Sequence, residues 1–200
     1  MDKVASAGVD GAAVMSGPKT GVIARLMERC VILLAFHCVA HRGALVLKGA
    51  VSQIPYLVTF FEICEEAYRA NHYSSVRQQQ LIDVQEEHSL KVLKHKDASF
   101  TREWSSWDAV TNFISRRFAE LIIAWHRAKP SDAIAKGLLF AMNRMEFVYT
   151  LTLLRDILPS AAKLSQIAQT RDVDICLYAQ EIEVFKARCE KLLDEPYSGK

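Results

Sequence analysis

Two motifs in the first fifth of the chain could do chemistry. Asp10 stands directly before Gly11, at the end of the short apolar run Val4-Ala5-Ser6-Ala7-Gly8-Val9. A carboxylate there is placed to ligate a divalent cation, and an Asp-Gly pair is equally the ordinary composition of a turn. Cys38 and His41, one helical turn apart, are the second motif. Their spacing suits zinc, yet a structural zinc site needs four ligands and no second Cys/His pair has partner spacing. The bland reading packs Cys38 in the core and gives His41 a hydrogen bond that fixes the strand-to-helix turn. Arg42, Lys48 and Arg102 are cations that can meet DNA phosphates or simply stay solvated. Trp104 and Trp107 can stack on bases, or close a helix entry as a hydrophobic staple. His88 and His95, near Glu86, Glu87 and Asp97, read as an exposed charged segment. No Ser-His-Asp set, phosphate loop or dinucleotide fingerprint is present.

The elements that must position these residues follow from periodicity. The run 4–9 reads as a strand, so Asp10 sits at its carboxyl end. From Pro18, after Ser16 or Gly17 as cap, Val22, Ile23, Leu26 and Met27 recur at helical spacing and predict a helix of about three turns. Val31-Ile32-Leu33-Leu34-Ala35-Phe36 is too short for an isolated helix and reads as a strand buried on both faces. Strand, helix, strand is a crossover unit, so the two strands should be parallel, with ligands gathering at their carboxyl ends.

These residues carry a resemblance. Asp-Gly-Ala-Ala-Val-Met-Ser-Gly at 10–17, Gly21-Val22, Ala24-Arg25-Leu26 and His37-Cys38-Val39-Ala40-His41-Arg42 resemble the catalytic-core segment of hAT-type transposases. The nearest likeness is to the transposase-derived zinc-finger proteins of animals. It continues through Ile54-Pro55-Tyr56-Leu57, Asn71-His72-Tyr73-Ser74-Ser75-Val76-Arg77, Trp107-Asp108-Ala109-Val110, and from Phe147-Val148-Tyr149 to Leu158-Pro159. The resemblance implies a ribonuclease H-like core whose Asp, Asp and Glu hold two divalent metals, with an all-helical insertion between the second Asp and the Glu. Asp10 matches that second Asp, and Cys38 and His41 match a Cys-x-x-His beside the active site. The first Asp would precede Met1 and the Glu would follow the insertion, so neither has a counterpart here. Two positions depart from the family pattern: Arg102-Glu103 stands where Arg-Trp is usual, with Trp104 one place late, and Gly43 replaces a Leu, weakening its helix by about 1 kcal/mol relative to Ala.

Two-metal phosphodiester chemistry needs ions about 4 Å apart. One carboxylate cannot hold that pair, and magnesium on Asp10 alone would keep most of its water. The chain is therefore expected to be catalytically incomplete and to need no cofactor, Mg2+ entering only if the missing carboxylates are supplied elsewhere.

Composition fits a folded protein of a reducing compartment. The 200 residues are 50% hydrophobic and 24% charged, enough to bury a core. The net charge of +2 does not by itself imply nucleic-acid binding. Five cysteines, odd in number and widely spread, do not make a disulfide framework. No signal peptide opens the chain, and the apolar runs 31–36 and 147–154 are too short or too interrupted to span a bilayer.

Past the head the pattern is helical: 39–53, ended by Ile54-Pro55; 55–71; a more polar helix through Val76, Leu81 and Val84; a loop at 94–103; a strong helix over 107–127; an apolar helix from Asp132 interrupted at Pro159; and a last helix from Ile175 to Leu192 at near-heptad spacing. The stripe of that last helix must be covered by neighbours or by a partner chain. The expected fold is mainly α, with a short βαβ remnant of a ribonuclease H-like core over 1–53 and an all-helical bundle over 54–200. The helices at 55–71, 107–127 and 138–158 should form the stable core. Two functions follow: a DNA- or chromatin-associated nuclear protein that no longer cuts DNA, or a helical module for protein binding or self-association, in the nucleus or cytoplasm. Neither involves a membrane or a small-molecule substrate.

Overall fold

The computed structural model describes residues 6–30, 32–93, 104–170 and 173–194. Over these residues the chain is mainly α, with one two-stranded sheet and a helical bundle. It divides into two compact units, Met1–Leu47 and Lys48–Lys200.

In the first unit, β1 (Ser6–Val9) and β2 (Leu34–His37) pair in parallel, with Ser6 opposite Leu34 and Val9 opposite His37. Between them lie α1 (Ala13–Ser16) and α2 (Val22–Met27). The helix predicted from Pro18 begins only at Val22, because the chain turns back at Gly21, whose N–H donates to the Gly17 carbonyl at 3.0 Å. A Cβ on Gly21 would lie 2.5 Å from that oxygen, so this close approach needs glycine. β2 is also not the doubly buried strand expected: Leu34 is 69% and Phe36 55% exposed. A sheet of two strands beside two short helices lacks the layers that cover both faces of a parallel sheet. Among the described residues the buried hydrophobic side chains of this unit are few: Ile23, Cys30 and Leu33.

α3 (Val39–Ser52) runs through Gly43, ends before Ile54-Pro55 as expected, and is followed by α4 (Pro55–His72), which has proline at its first turn. α4 buries Phe60, Phe61, Cys64, Ala67, Tyr68 and Asn71, the three-and-four spacing of one helical face. α5 (Ser75–Glu87) is capped by Ser74, whose Oγ accepts from the Arg77 N–H. The strong helix predicted over 107–127 is two helices, α6 (Trp104–Arg116) and α7 (Phe118–His126). The break falls at Arg117, whose backbone leaves helical geometry. Its guanidinium donates to Gln85 Oε1 at 2.9 Å and to the Lys91 carbonyl at 2.8 Å. Gln85, wholly buried, also accepts from the Leu93 N–H and donates to the Leu81 carbonyl, so its amide is satisfied.

The apolar helix expected from Asp132 is likewise two: α8 (Ala133–Met142) and α9 (Met145–Ala168). α9 then runs through Pro159 where an interruption was expected. Proline in a helix interior costs about 3 kcal/mol. Here Leu154, Leu158, Ala161 and Ala162 are buried on both sides of it, so packing holds the helix together. α6 packs along α9; α4 meets α5, α6, α8 and α9; α5 lies on α7, and α7 on α8. Phe60, Ile114, Leu121, Leu138, Met142, Phe147 and Leu158 fill the centre, with the Phe60 and Phe147 rings 4.8 Å apart. This core draws on the three segments expected to form it. α10 (Ile175–Asp194) packs chiefly on α9.

One ion pair ties three helix ends together. Arg77 donates from Nε and Nη2 to the two carboxylate oxygens of Asp132, each at 2.9 Å, and from Nη1 to the Ala70 carbonyl near the end of α4. Asp132 also caps α8 by accepting from the Ala135 N–H. The Arg77 guanidinium, then the Ala135 N–H, hold the Asp132 carboxyl down to about 2.

Candidate nucleic-acid interface

The parallel pairing sets Asp10, His37, Cys38 and His41 at the carboxyl ends of β1 and β2, where the sequence placed its candidate site. The Cys38 N–H donates to the Val9 carbonyl at 2.8 Å and joins the two strand ends. Asp10 is exposed, and its Oδ1 accepts from the Ala12 N–H at 3.4 Å, closing the turn into α1. Gly11 lies against His37: a Cβ there would stand 2.8 Å from the ring's Cε1. The His37 ring faces His41 at a centroid distance of 5.5 Å, so His41 meets a second imidazole where a hydrogen bond was expected. Cys38 is half-buried with a free thiol, not packed in a core.

These side chains do not fit a two-metal centre. Asp10 is a single carboxylate already engaged as a turn acceptor, and among the described residues no group of three His, Cys, Asp or Glu side chains stands together. Two-metal chemistry needs several carboxylates converging on the same ions.

The same unit presents a different surface, formed by the turn at 18–20 and by α2. Lys19, Arg25 and Arg29 line an open hollow of about 510 Å3, together with Thr20, Val22, Leu26 and Glu28. Helical winding persists past Met27, since the Cys30 N–H donates to the Leu26 carbonyl, so Arg25 and Arg29 lie one turn apart on one side. Four residues of helix rise about 6 Å, roughly two nucleotide steps of a DNA strand at about 3.4 Å each. None of the three cations forms an ion pair among the described residues, so their charge is free to meet an anion.

The charge is also partitioned. Residues 1–47 hold five Lys and Arg against three Asp and Glu, which leaves twenty against twenty in the remainder. The whole excess of +2 therefore belongs to the first unit. Sequence reasoning missed Lys19, Arg25 and Arg29 because it took the charge of the chain as one sum.

Of the cations it did single out, Arg42 is exposed on α3, in the first unit, and Lys48 is exposed on the same helix. Arg102 lies outside the described residues, as do the side chain of Trp104 and the loop at 94–103 with His95. Trp107 packs against Phe61 with the rings tilted and their centroids 4.0 Å apart, which makes it a packing residue of the bundle. His88 is exposed with Glu86 and Glu87, as expected, and its Nδ1 also lies 3.2 Å from Oε1 of the buried Glu120, joining the end of α5 to α7.

No single helix among the described residues is long and apolar enough to cross a membrane. No family model, curated protein or solved structure matches this chain.

Proposed function

We propose that this chain is a hAT transposase-derived nuclear protein that associates with DNA or chromatin and does not cut it. The observation that carries the reading is the hollow lined by Lys19, Arg25 and Arg29, in the unit that holds the chain's net positive charge. Three unpaired cations on a concave surface suit phosphate oxygens, which need positive charge and reach but no base-reading geometry. The lone Asp10 supports the second half of the proposal, since one turn-closing carboxylate cannot align two metals. The association is therefore sequence-tolerant and electrostatic.

Fluorescence anisotropy with a labelled DNA duplex tests this. Neutralising three phosphates gives a slope of about −2.7 in log K against log salt, so affinity should fall about 40-fold between 50 and 200 mM salt. The triple variant Lys19→Glu, Arg25→Glu, Arg29→Glu should abolish binding while the helical circular dichroism stays unchanged. Binding that ignores salt, or that survives the triple reversal, would sink the proposal. Metal-dependent nicking of plasmid that is lost in Asp10→Ala would sink its non-cutting half.

A further inference from the structure

Thr20 shares the hollow of the first unit with the three cations, on the turn that leads towards α2. Its side chain is exposed, and its hydroxyl makes no hydrogen bond among the described residues. Ser16, four residues earlier and likewise exposed, instead donates its hydroxyl to the Ala12 carbonyl at 3.1 Å. Thr20 is thus the free alcohol of this segment, carried on backbone that belongs to neither α1 nor α2. The charge beside it is unbalanced. Lys19, Arg25 and Arg29 bring three positive charges to the hollow and Glu28 brings one negative, a net of +2. The other charged residues of 1–47 are Lys3 and Arg42 against Asp2 and Asp10, which cancel. The whole excess charge of the unit, and so of the chain, therefore lines the hollow that Thr20 shares.

We propose that Thr20 is a phosphorylation site whose phosphate is held by the hollow's own cations, closing it to DNA; this rests on the reading of the hollow as the surface that meets DNA phosphates. An ATP-dependent protein kinase transfers the γ-phosphoryl group. The Thr20 O–H bond breaks as an O–P bond forms, the bond from that phosphorus to ADP breaks, and the proton passes to the kinase's base. The product carries about −1.5 to −2 charges at neutral pH and three acceptor oxygens. That charge offsets the net +2 of the hollow. Arginine suits the role, because its planar fork meets phosphate through two parallel hydrogen bonds. A phosphate on the same chain also competes at a high effective concentration, which a separate DNA strand in solution lacks. The tethered phosphate therefore displaces the strand from the same cations.

The 200-residue chain made with phosphothreonine at position 20, beside the unmodified chain, tests this. In phosphorus NMR without DNA, the second ionisation of the phosphate should fall below its ordinary value of about 6, because neighbouring guanidinium groups favour the dianion. Changing Arg25→Gln and Arg29→Gln together in the phosphorylated chain should return it towards that value. Both positions are exposed, and circular dichroism checks that the helices persist. In fluorescence anisotropy the phosphorylated chain should bind the labelled duplex at least about tenfold more weakly, and the slope of log K against log salt should shrink from about −2.7 to about −0.9 as two of three phosphate contacts are lost. Incubating the unmodified chain with a basophilic serine/threonine kinase and magnesium-ATP should place phosphate on Thr20 and not on Ser16 by mass mapping, and Thr20→Ala should remove that signal. An ionisation that stays ordinary with or without the two arginines, DNA binding that phosphorylation leaves unchanged, or no phosphate on Thr20 would each overturn the inference. An unmodified chain that does not bind DNA, with the phosphate's ionisation still lowered by Arg25 and Arg29, would remove the DNA reading and leave the phosphate pairing standing.

Discussion

The two units of this chain solve the problem of apolar sequence differently. The first has Ile32, Leu34, Phe36 and Val39 in or next to β2, yet they are 78%, 69%, 55% and 48% exposed. The second closes Phe60, Ile114, Leu121, Met142 and Phe147 almost entirely from water. Hydrophobicity alone therefore does not decide burial; the number of layers does. A helix needs only one neighbour across its apolar stripe, and here α4, α6 and α9 supply it for one another. A parallel strand needs cover on two faces, and two strands with two short helices do not provide it. The electrostatics divide in the same way. In the second unit several charges are locked into cross-helix contacts such as Arg77 with Asp132, while in the first Lys19, Arg25 and Arg29 face outward. The second unit is neutral and ties its charges across helices, while the first carries the excess charge on exposed side chains.

The strongest way to break this comparison is to open the bundle. Phe147 is fully buried between Phe60 and Phe118, so Phe147→Ala should cost about 3–5 kcal/mol. All three tryptophans belong to the second unit, so urea unfolding followed by their fluorescence reads that unit alone. A loss below about 1 kcal/mol would mean that the core is looser than its burial implies.

Next in size is the Arg77–Asp132 pair. Asp132→Asn should cost about 1–2 kcal/mol at neutral pH, since charge-assisted bonds at a partly open site exceed exposed pairs but fall short of buried ones. The pH dependence has a definite sign. The folded carboxyl titrates at about 2, below the ordinary ~3.9 of the unfolded chain, so its stabilisation is present above about pH 4 and lost as pH falls through 2. Wild type and Asp132→Asn should therefore converge between pH 5 and pH 2 in thermal melts. A gap independent of pH would assign the effect to the α8 cap geometry and not to the charge.

Much of the bundle was legible in the sequence because its signals were local. Pro55 opening α4, Ser74 capping α5 and the period of α10 are each written within a few residues. What periodicity could not reveal was long-range. Arg117 breaks the helix predicted over 107–127 where its guanidinium bonds Gln85 and the Lys91 carbonyl, more than twenty residues away. Pro159 stays helical because Leu158 and Ala161 beside it are buried, which no window around a proline reports. At the candidate site, the strand ends and the placement of Asp10, Cys38 and His41 were readable from the strand-helix-strand pattern. The contact of His41 with His37 was not, because it depends on how the helix after β2 is turned. Nor was the basic hollow, which requires the turn at 18–20 to fold beside α2.

The smallest expected effect is the most telling about the first unit. Leu34→Ser removes an apolar side chain that is mostly in water, so it should change stability by less than about 0.5 kcal/mol, as surface substitutions do. The same chemical change at the buried Leu121 would cost several kcal/mol, since it would empty a packed site and strand a hydroxyl there. Amide exchange gives the backbone counterpart. The four residue pairs of β1 and β2 share one ladder with open edges, so their amides should exchange much faster than those of 147–158 in α9. If Leu34→Ser instead costs more than about 1 kcal/mol and the β2 amides are as protected as those of α9, the exposed face of the sheet is covered in solution. The contrast between the two units would then lie in which molecule supplies the missing layer, not in whether one is present.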